Sequence, residues 1–155
     1  MPQLTPLDQL IINFDQGLRT LFGPPLGTGR VNPAQTAPDA QLTEAEKRLS
    51  ARLMRVNHAG EVSAQALYQG QALTAHTAAV RDNMKQSALE ENDHLVWCQS
   101  RISELDGHTS WLNPLWYAGS LTLGTMAGAV GDQWSLGFVA ETERQVIKHL
   151  EGHLQ

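Results

Sequence analysis

Between Asp106 and Asp132 the chain carries no aspartate, glutamate, lysine or arginine, and most of that stretch reads NPLWYAGSLTLGTMAGAVG. This constrains the fold more than any other segment, because a helix that is apolar all round has no side suited to water. Asn113 is placed to cap such a helix and Pro114 suits its first position. Gly124 and Gly128 stand in small-xxx-small spacing, which lets another helix come close. The segment is slightly short for spanning a bilayer. Two readings stay open: a central bundle helix buried on every side, or a helix that dips into a membrane or lines an apolar channel. Trp111, Trp116 and Tyr117 at its start suit an interfacial position.

The rest of the chain is punctuated for helices. There is no sustained alternation and no hairpin turn between β-branched runs, so an all-α fold is expected. At 155 residues the chain is long enough for one domain with a real core. A formal net charge of -5 argues against a nucleic-acid surface. The single cysteine, Cys98, cannot form an internal disulfide and reads as a small core residue. MPQLTPLDQL has no basic residue ahead of its apolar ones, so no secretory signal is expected.

Three regions follow. Residues 1–22 form an amphipathic helix, with Thr5 as cap, Pro6 at the first position and Asp8 in the first turn. Its stripe of Leu7, Leu10, Ile11, Phe14, Leu18 and Leu21 is expected to pack on the main domain, with a membrane-surface helix as the alternative. Residues 23–42 are rich in Pro, Gly, Thr and Ala and read as a linker. Residues 43–155 form the helical domain. Its first helix starts at a Thr43–Glu46 capping box and runs to about Ala75, with Leu49, Leu53, Val56, Gly60, Ala64 and Leu67 on one face. The next spans about Thr77 to Leu105 and stops at Asp106-Gly107. It buries Val80, Met84, Leu95, Cys98, Ile102 and Leu105. After the uncharged helix, Asp132 is placed to cap a last one.

Acids occur where apolar side chains are expected. On the helix after Thr77, Glu91 and His94 share the stripe of Val80, Met84, Cys98, Ile102 and Leu105, whereas Glu90 and Asp93 point away as solvated charges. On the last helix Val139, Glu143, Val146 and Leu150 recur at i, i+4, i+7 and i+11, which puts Glu143 inside the apolar face and Glu141 opposite. Glu61 borders the stripe of its own helix, near Asn57, Ala64 and Tyr68. A buried carboxylate without a partner costs several kcal/mol or stays protonated. One Glu-x-x-His pair alone is common and is usually satisfied locally. Inward acids on three helices together point instead to a dinuclear iron or manganese site, since carboxylates and imidazole suit those ions and bundle cores are where such sites are built. His58 is expected at the surface. His149 and His153, four apart, read as a polar face near a helix C-terminus.

RVNHAGEVSAQALYQGQ, EENDHLVWC, LNPLWYAGS and GDQWSLGFVAETERQV closely resemble segments of the bacterial 3-demethoxyubiquinol 3-hydroxylases of ubiquinone biosynthesis, in the same order and at fitting spacings. The resemblance implies a ferritin-like four-helix bundle of the di-iron carboxylate type, binding two irons (Fe). It implies a monooxygenase that hydroxylates the ring of a lipid-soluble polyprenyl demethoxybenzoquinol with molecular oxygen. Carried over, Glu61 is a ligand of one iron, Glu91 bridges both, His94 joins Glu61 on the first iron, and Glu143 binds the second. His149 matches a histidine close to the site. The resemblance also implies peripheral attachment to the cytoplasmic side of the inner membrane, and other ubiquinone-biosynthesis proteins as partners. The family carries a further helix with another bridging Glu and a second Glu-x-x-His histidine. The tail KHLEGHLQ holds no such motif, so the site is expected to be incomplete and an apolar groove exposed. The competing readings are a non-catalytic quinone- or membrane-binding module and a ferritin-like iron-binding protein.

Overall fold

Thr5 and Thr43 each start a helix in the same way. Each side-chain oxygen accepts from the backbone N–H three residues on, and the acid at that position, Asp8 or Glu46, accepts in return from the threonine N–H at 2.8 Å. The computed structural model describes residues 5–38 and 41–153, and among these it has five α-helices and a short 3-10 turn, Pro33–Thr36. The helices are α1 (Pro6–Phe22), α2 (Glu44–Thr74), α3 (Ala78–Glu104), α4 (Asn113–Val130) and α5 (Asp132–Gly152). The chain is therefore an all-α bundle. Helix α2 is its axis: α3 lies along one side of it and α4 along the other, α1 touches α2 and α4, and α5 leans on α4.

The α2–α4 seam is close because its residues are small. A Cβ at Gly124 would overlap the Leu67 carbonyl, and one at Gly70 would come within 2.7 Å of the Thr125 nitrogen. Thr74 Oγ1 donates to the Thr125 carbonyl across the same seam at 2.8 Å. The α2–α3 side is held by larger groups. Val62, Ala66, Leu95 and Tyr117 form one buried cluster, and Tyr68, Ala72, Ala75, Val80 and Met84 a second.

Three glutamines of α2 reach the other four helices. Gln65 Nε2 donates to Asn92 of α3 at 3.3 Å. Gln69 donates to the Asn13 carbonyl of α1 at 2.8 Å and accepts from the Tyr117 hydroxyl of α4. Gln71 donates to the Ser135 carbonyl of α5 at 2.9 Å. Helix α3 stops as expected, with Asp106 at φ +53° and Gly107 N–H bonded back to the Ile102 carbonyl. Gly131 alone joins α4 to α5, at φ +138°, a conformation that glycine adopts without strain.

Several expectations are corrected. Helix α4 is not buried on every side: Asn113, Tyr117, Gly124 and Gly128 face inward, while Leu115, Leu123, Met126 and Val130 are exposed. No described helix is long and apolar enough to cross a membrane. Asn113 lies inside α4 rather than capping it, since Leu112 holds the cap position. Asp132 does not cap α5. Its carboxylate instead takes the N–H groups of His76 and Thr77 and the Thr77 hydroxyl, pinning the α2–α3 turn to the start of α5. In α1 Leu7, Ile11, Phe14 and Leu18 of the stripe face outward, with Phe14 68% exposed, while Leu21 packs on the Val62 cluster as expected and Gly17 lies against Tyr117. Leu10's side chain lies outside the described residues. In α2 the expected stripe is only part of the core, because Leu49 and Val56 are exposed; the inward face carries Ala51, His58, Val62 and Ala66.

Candidate metal centre

Val62 and Leu95 are almost wholly buried in one cluster, and that contact sets the register of α2 against α3. The residue before each is thereby brought to the same level: Glu61 on α2 and His94 on α3. Glu91, one turn before His94, completes the group. Ligand atoms of Glu61, Glu91 and His94 all lie within 4.8 Å of one another. His94 Nδ1 is 2.8 Å from Glu91 Oε2 and 3.6 Å from Glu61 Oε2. Glu91 is buried, and Glu61 and His94 are half-buried.

The electrostatics are those of a site built for positive charge. Burial pushes the Glu91 carboxyl up to about 7, helped by its neighbour Glu61 and opposed by His94. Burial also raises Glu61, but hydrogen bonds from His94 and Glu91 outweigh it and hold that carboxyl below the ordinary range. Hydrogen bonds to Glu61 and Glu91 push His94 up to about 10. Oxygen with imidazole is the donor set that iron and manganese take, and a cation among these three groups would offset the two neighbouring carboxylates. The residues fit such an ion.

Glu143 lies outside this trio. Val139, one turn before it, packs on the Tyr68 cluster, and the Tyr68 hydroxyl donates to the Glu143 carboxylate. Burial, then the Glu143 bond, then the charges of Glu91 and Glu61 raise the Tyr68 hydroxyl well above the ordinary range. Tyr68 thus bonds Glu143 directly and feels the charges of Glu61 and Glu91. Glu143 itself is exposed, because α5 rests on α4 and leaves its other side open. Glu61, Glu91, His94, Glu143 and His149 all line one open groove of about 1550 Å³, whose apolar wall includes Val96, Leu112, Trp116 and Ile147. His149 is exposed, its ring edge-on to His153 at 4.5 Å.

Two polar residues expected at the surface are buried. Asp93 accepts from Thr28 N–H and Oγ1 at 2.6 and 2.7 Å. His58 is lowered by burial, and Asn113 Nδ2 lies 3.4 Å from its Nδ1. Their partners come from the linker and from α4, which periodicity within one helix does not reveal. Tyr68 carries a signal in hindsight, since it follows Glu61 by two turns. Cys98 is buried as expected, and burial pushes its thiol up to about 12.

Fold and site together define a helical-bundle protein with a carboxylate–histidine centre that opens on an apolar groove. The family model described as "Ubiquinone biosynthesis protein COQ7" matches residues 48–155, and the chain belongs to that family. It is 60% identical over 152 residues to the 3-demethoxyubiquinol 3-hydroxylase of Nitrosococcus oceani, covering 98% of this chain and 71% of that protein. The protein of the same name from Nitrosomonas europaea is 59% identical over 149 residues, 96% of this chain and 71% of the relative. That of Acinetobacter baumannii is 56% identical over 154 residues, 99% and 72%. No solved structure matches significantly.

Proposed function

We propose that this chain works in ubiquinone biosynthesis as an iron-dependent monooxygenase that hydroxylates the ring of a demethoxyubiquinol. The Glu61–Glu91–His94 trio, open to an apolar groove, carries the reading; the names of relatives at 56 to 60% identity support it. Glu61, Glu91 and His94 would hold iron. Glu143, which shares the groove, would add a carboxylate, with His149 beyond it. Bound iron supplies the redox chemistry that activates dioxygen. The protein's own groups do the rest. Glu91 and His94 give up their protons when the cation enters. Tyr68 orients the Glu143 carboxylate through its hydroxyl. Val96, Leu112 and Trp116 offer an apolar wall to a quinol ring and its tail. In the net reaction one oxygen atom of dioxygen is inserted into the ring C–H bond as the hydroxyl, and the other leaves as water with two electrons from an external reductant and two protons from that reductant and solvent.

A substrate dissolved in lipid calls for a protein at a membrane surface. We place the chain peripherally on the cytoplasmic side of the inner membrane. The outward stripe of α1, with Leu7, Ile11, Phe14 and Leu18, supports this, as does the exposed face of α4.

The test is anaerobic loading with ferrous iron, then addition of a short-tailed demethoxyquinol, reductant and oxygen, with the product read by mass spectrometry. A product heavier by one oxygen atom, absent from Glu91→Ala, is expected. Undiminished product from Glu91→Ala overturns the site. Iron uptake and quinol binding without product favour a non-catalytic quinone-binding module.

A further inference from the structure

His94 is the most exposed member of the trio, with its side chain 35% accessible against 9% for Glu91. Glu91 holds one edge of the ring through Nδ1 at 2.8 Å, and a ligand on the open side of a groove gains from a second support behind it. The structure supplies one from far away in sequence. Thr28, in the linker, grips Asp93 with both its N–H and its hydroxyl, at 2.6 and 2.7 Å. The carboxylate it grips is 2% exposed and is the residue directly before His94. The linker lies close enough there that a Cβ at Gly27 would come within 2.8 Å of Asp93 Oδ1 and 3.3 Å of Val96 Cγ2. Two residues after Thr28, the Arg30 guanidinium sits 5.2 Å from the centre of the Trp97 ring. The Trp97 ring lies 5.4 Å from that of His94, tilted by 45°.

We infer that residues 27–30 form a brace for the metal-ligating histidine: Thr28 fixes the linker on α3 through Asp93, Arg30 steadies Trp97, and Trp97 holds the His94 ring toward Glu61 and Glu91. Thr28, Arg30 and Trp97 are positioning residues, since they act through His94 rather than as ligands themselves. The linker is then part of the site rather than a tether between α1 and the bundle. The inference rests on the reading of His94 as a ligand.

Two readouts separate the inference from that reading. One is the affinity for Co2+, followed by its visible absorption. The other is the set of His94 ring nitrogen signals in the metal-free chain. Thr28→Val and Trp97→Leu should each weaken Co2+ binding about tenfold, the scale on which groups behind a ligand act. Both should shift or broaden the His94 signals, while Trp97→Phe, which keeps an aromatic wall, should restore wild-type values. Arg30 is exposed, so Arg30→Ala should stay folded and should disturb the His94 signals in the same direction, to a smaller extent. Folded Thr28→Val, Trp97→Leu and Arg30→Ala chains with unchanged His94 signals overturn the brace, whether or not the metal binds. If Trp97→Phe is as impaired as Trp97→Leu, the aromatic wall is wrong and the brace falls. A wild-type chain that takes up no Co2+ while its His94 signals respond to the variants overturns the metal reading and supports the brace.

Discussion

Helix α2 has two opposite characters along its two sides. Toward α4 it meets glycines and threonines, and backbone lies against backbone. Toward α3 and α5 it carries Glu61, which faces an open groove, and the buried Tyr68, whose hydroxyl reaches Glu143. The contrast shows how one helix divides its labour. Both sides carry packed core, with backbone against glycine toward α4 and Val62 with Leu95 and Tyr68 with Met84 toward α3, and this packing lets the α3 side hold half-buried acids with no loss of register. The acids of the site lie on the α3 side, at the groove.

The largest effect expected from breaking this division is at the seam. Gly124→Leu drives a side chain into the Leu67 backbone, and neither helix can yield without opening the core. A loss of about 3 kcal/mol or more is expected in urea unfolding; a loss within about 0.5 kcal/mol would show that the seam is not close. On the other side, Glu91→Ala should lower the affinity for a divalent ion about a hundredfold, equivalent to about 2.7 kcal/mol. Metal-free stability should hold or rise, because a buried carboxyl is expensive. Calorimetric titration beside thermal unfolding tests both halves at once.

Asp132 links the two sides and brings in pH. Its carboxyl is held below the usual range, first by the Thr77 hydroxyl and then by the His76 N–H. A group depressed in the folded state stabilises it above the unfolded value, about 3.9, and ceases to do so as pH falls through the folded value. Asp132→Ala should therefore lower the thermal midpoint at pH 7, and the gap to wild type should close as pH drops below about 4. A gap independent of pH would show that the charge is not involved. The smallest effect belongs to α1: Phe14→Ser should move stability by less than about 0.5 kcal/mol, yet reduce flotation with liposomes. A large loss of stability would mean that the stripe packs after all.

Local features were readable in advance. The Thr5 cap, the Thr43–Glu46 capping box, the stop at Asp106 and the close approach at Gly124 and Gly128 each depend on residues a few positions apart. The inward turn of Glu91 and His94 followed from the period of α3 alone. Asp93 and His58 escaped because Thr28 and Asn113, which accompany them inside, stand 65 and 55 residues away. The same limit applies to α4. Its sequence announced that it avoids water, yet only the structure shows that it buries Asn113, Tyr117, Gly124 and Gly128 and leaves Leu115, Leu123, Met126 and Val130 outside. Glu143 falls between these cases: its place on the apolar face of α5 was legible, but that face is open and the Tyr68 hydroxyl is its partner.

The three amides of Gln65, Gln69 and Gln71 act as a key in a lock. Apolar faces slide past one another at modest cost, but a directional bond to a particular atom does not. If α2 shifted by one turn against its neighbours, the links to Asn92, Asn13, Tyr117 and Ser135 would break together and leave amides stranded in the interior. Correct alignment of all five helices is thus checked within seven residues of a single helix. That alignment is what places a carboxylate from α2 opposite a carboxylate and an imidazole from α3.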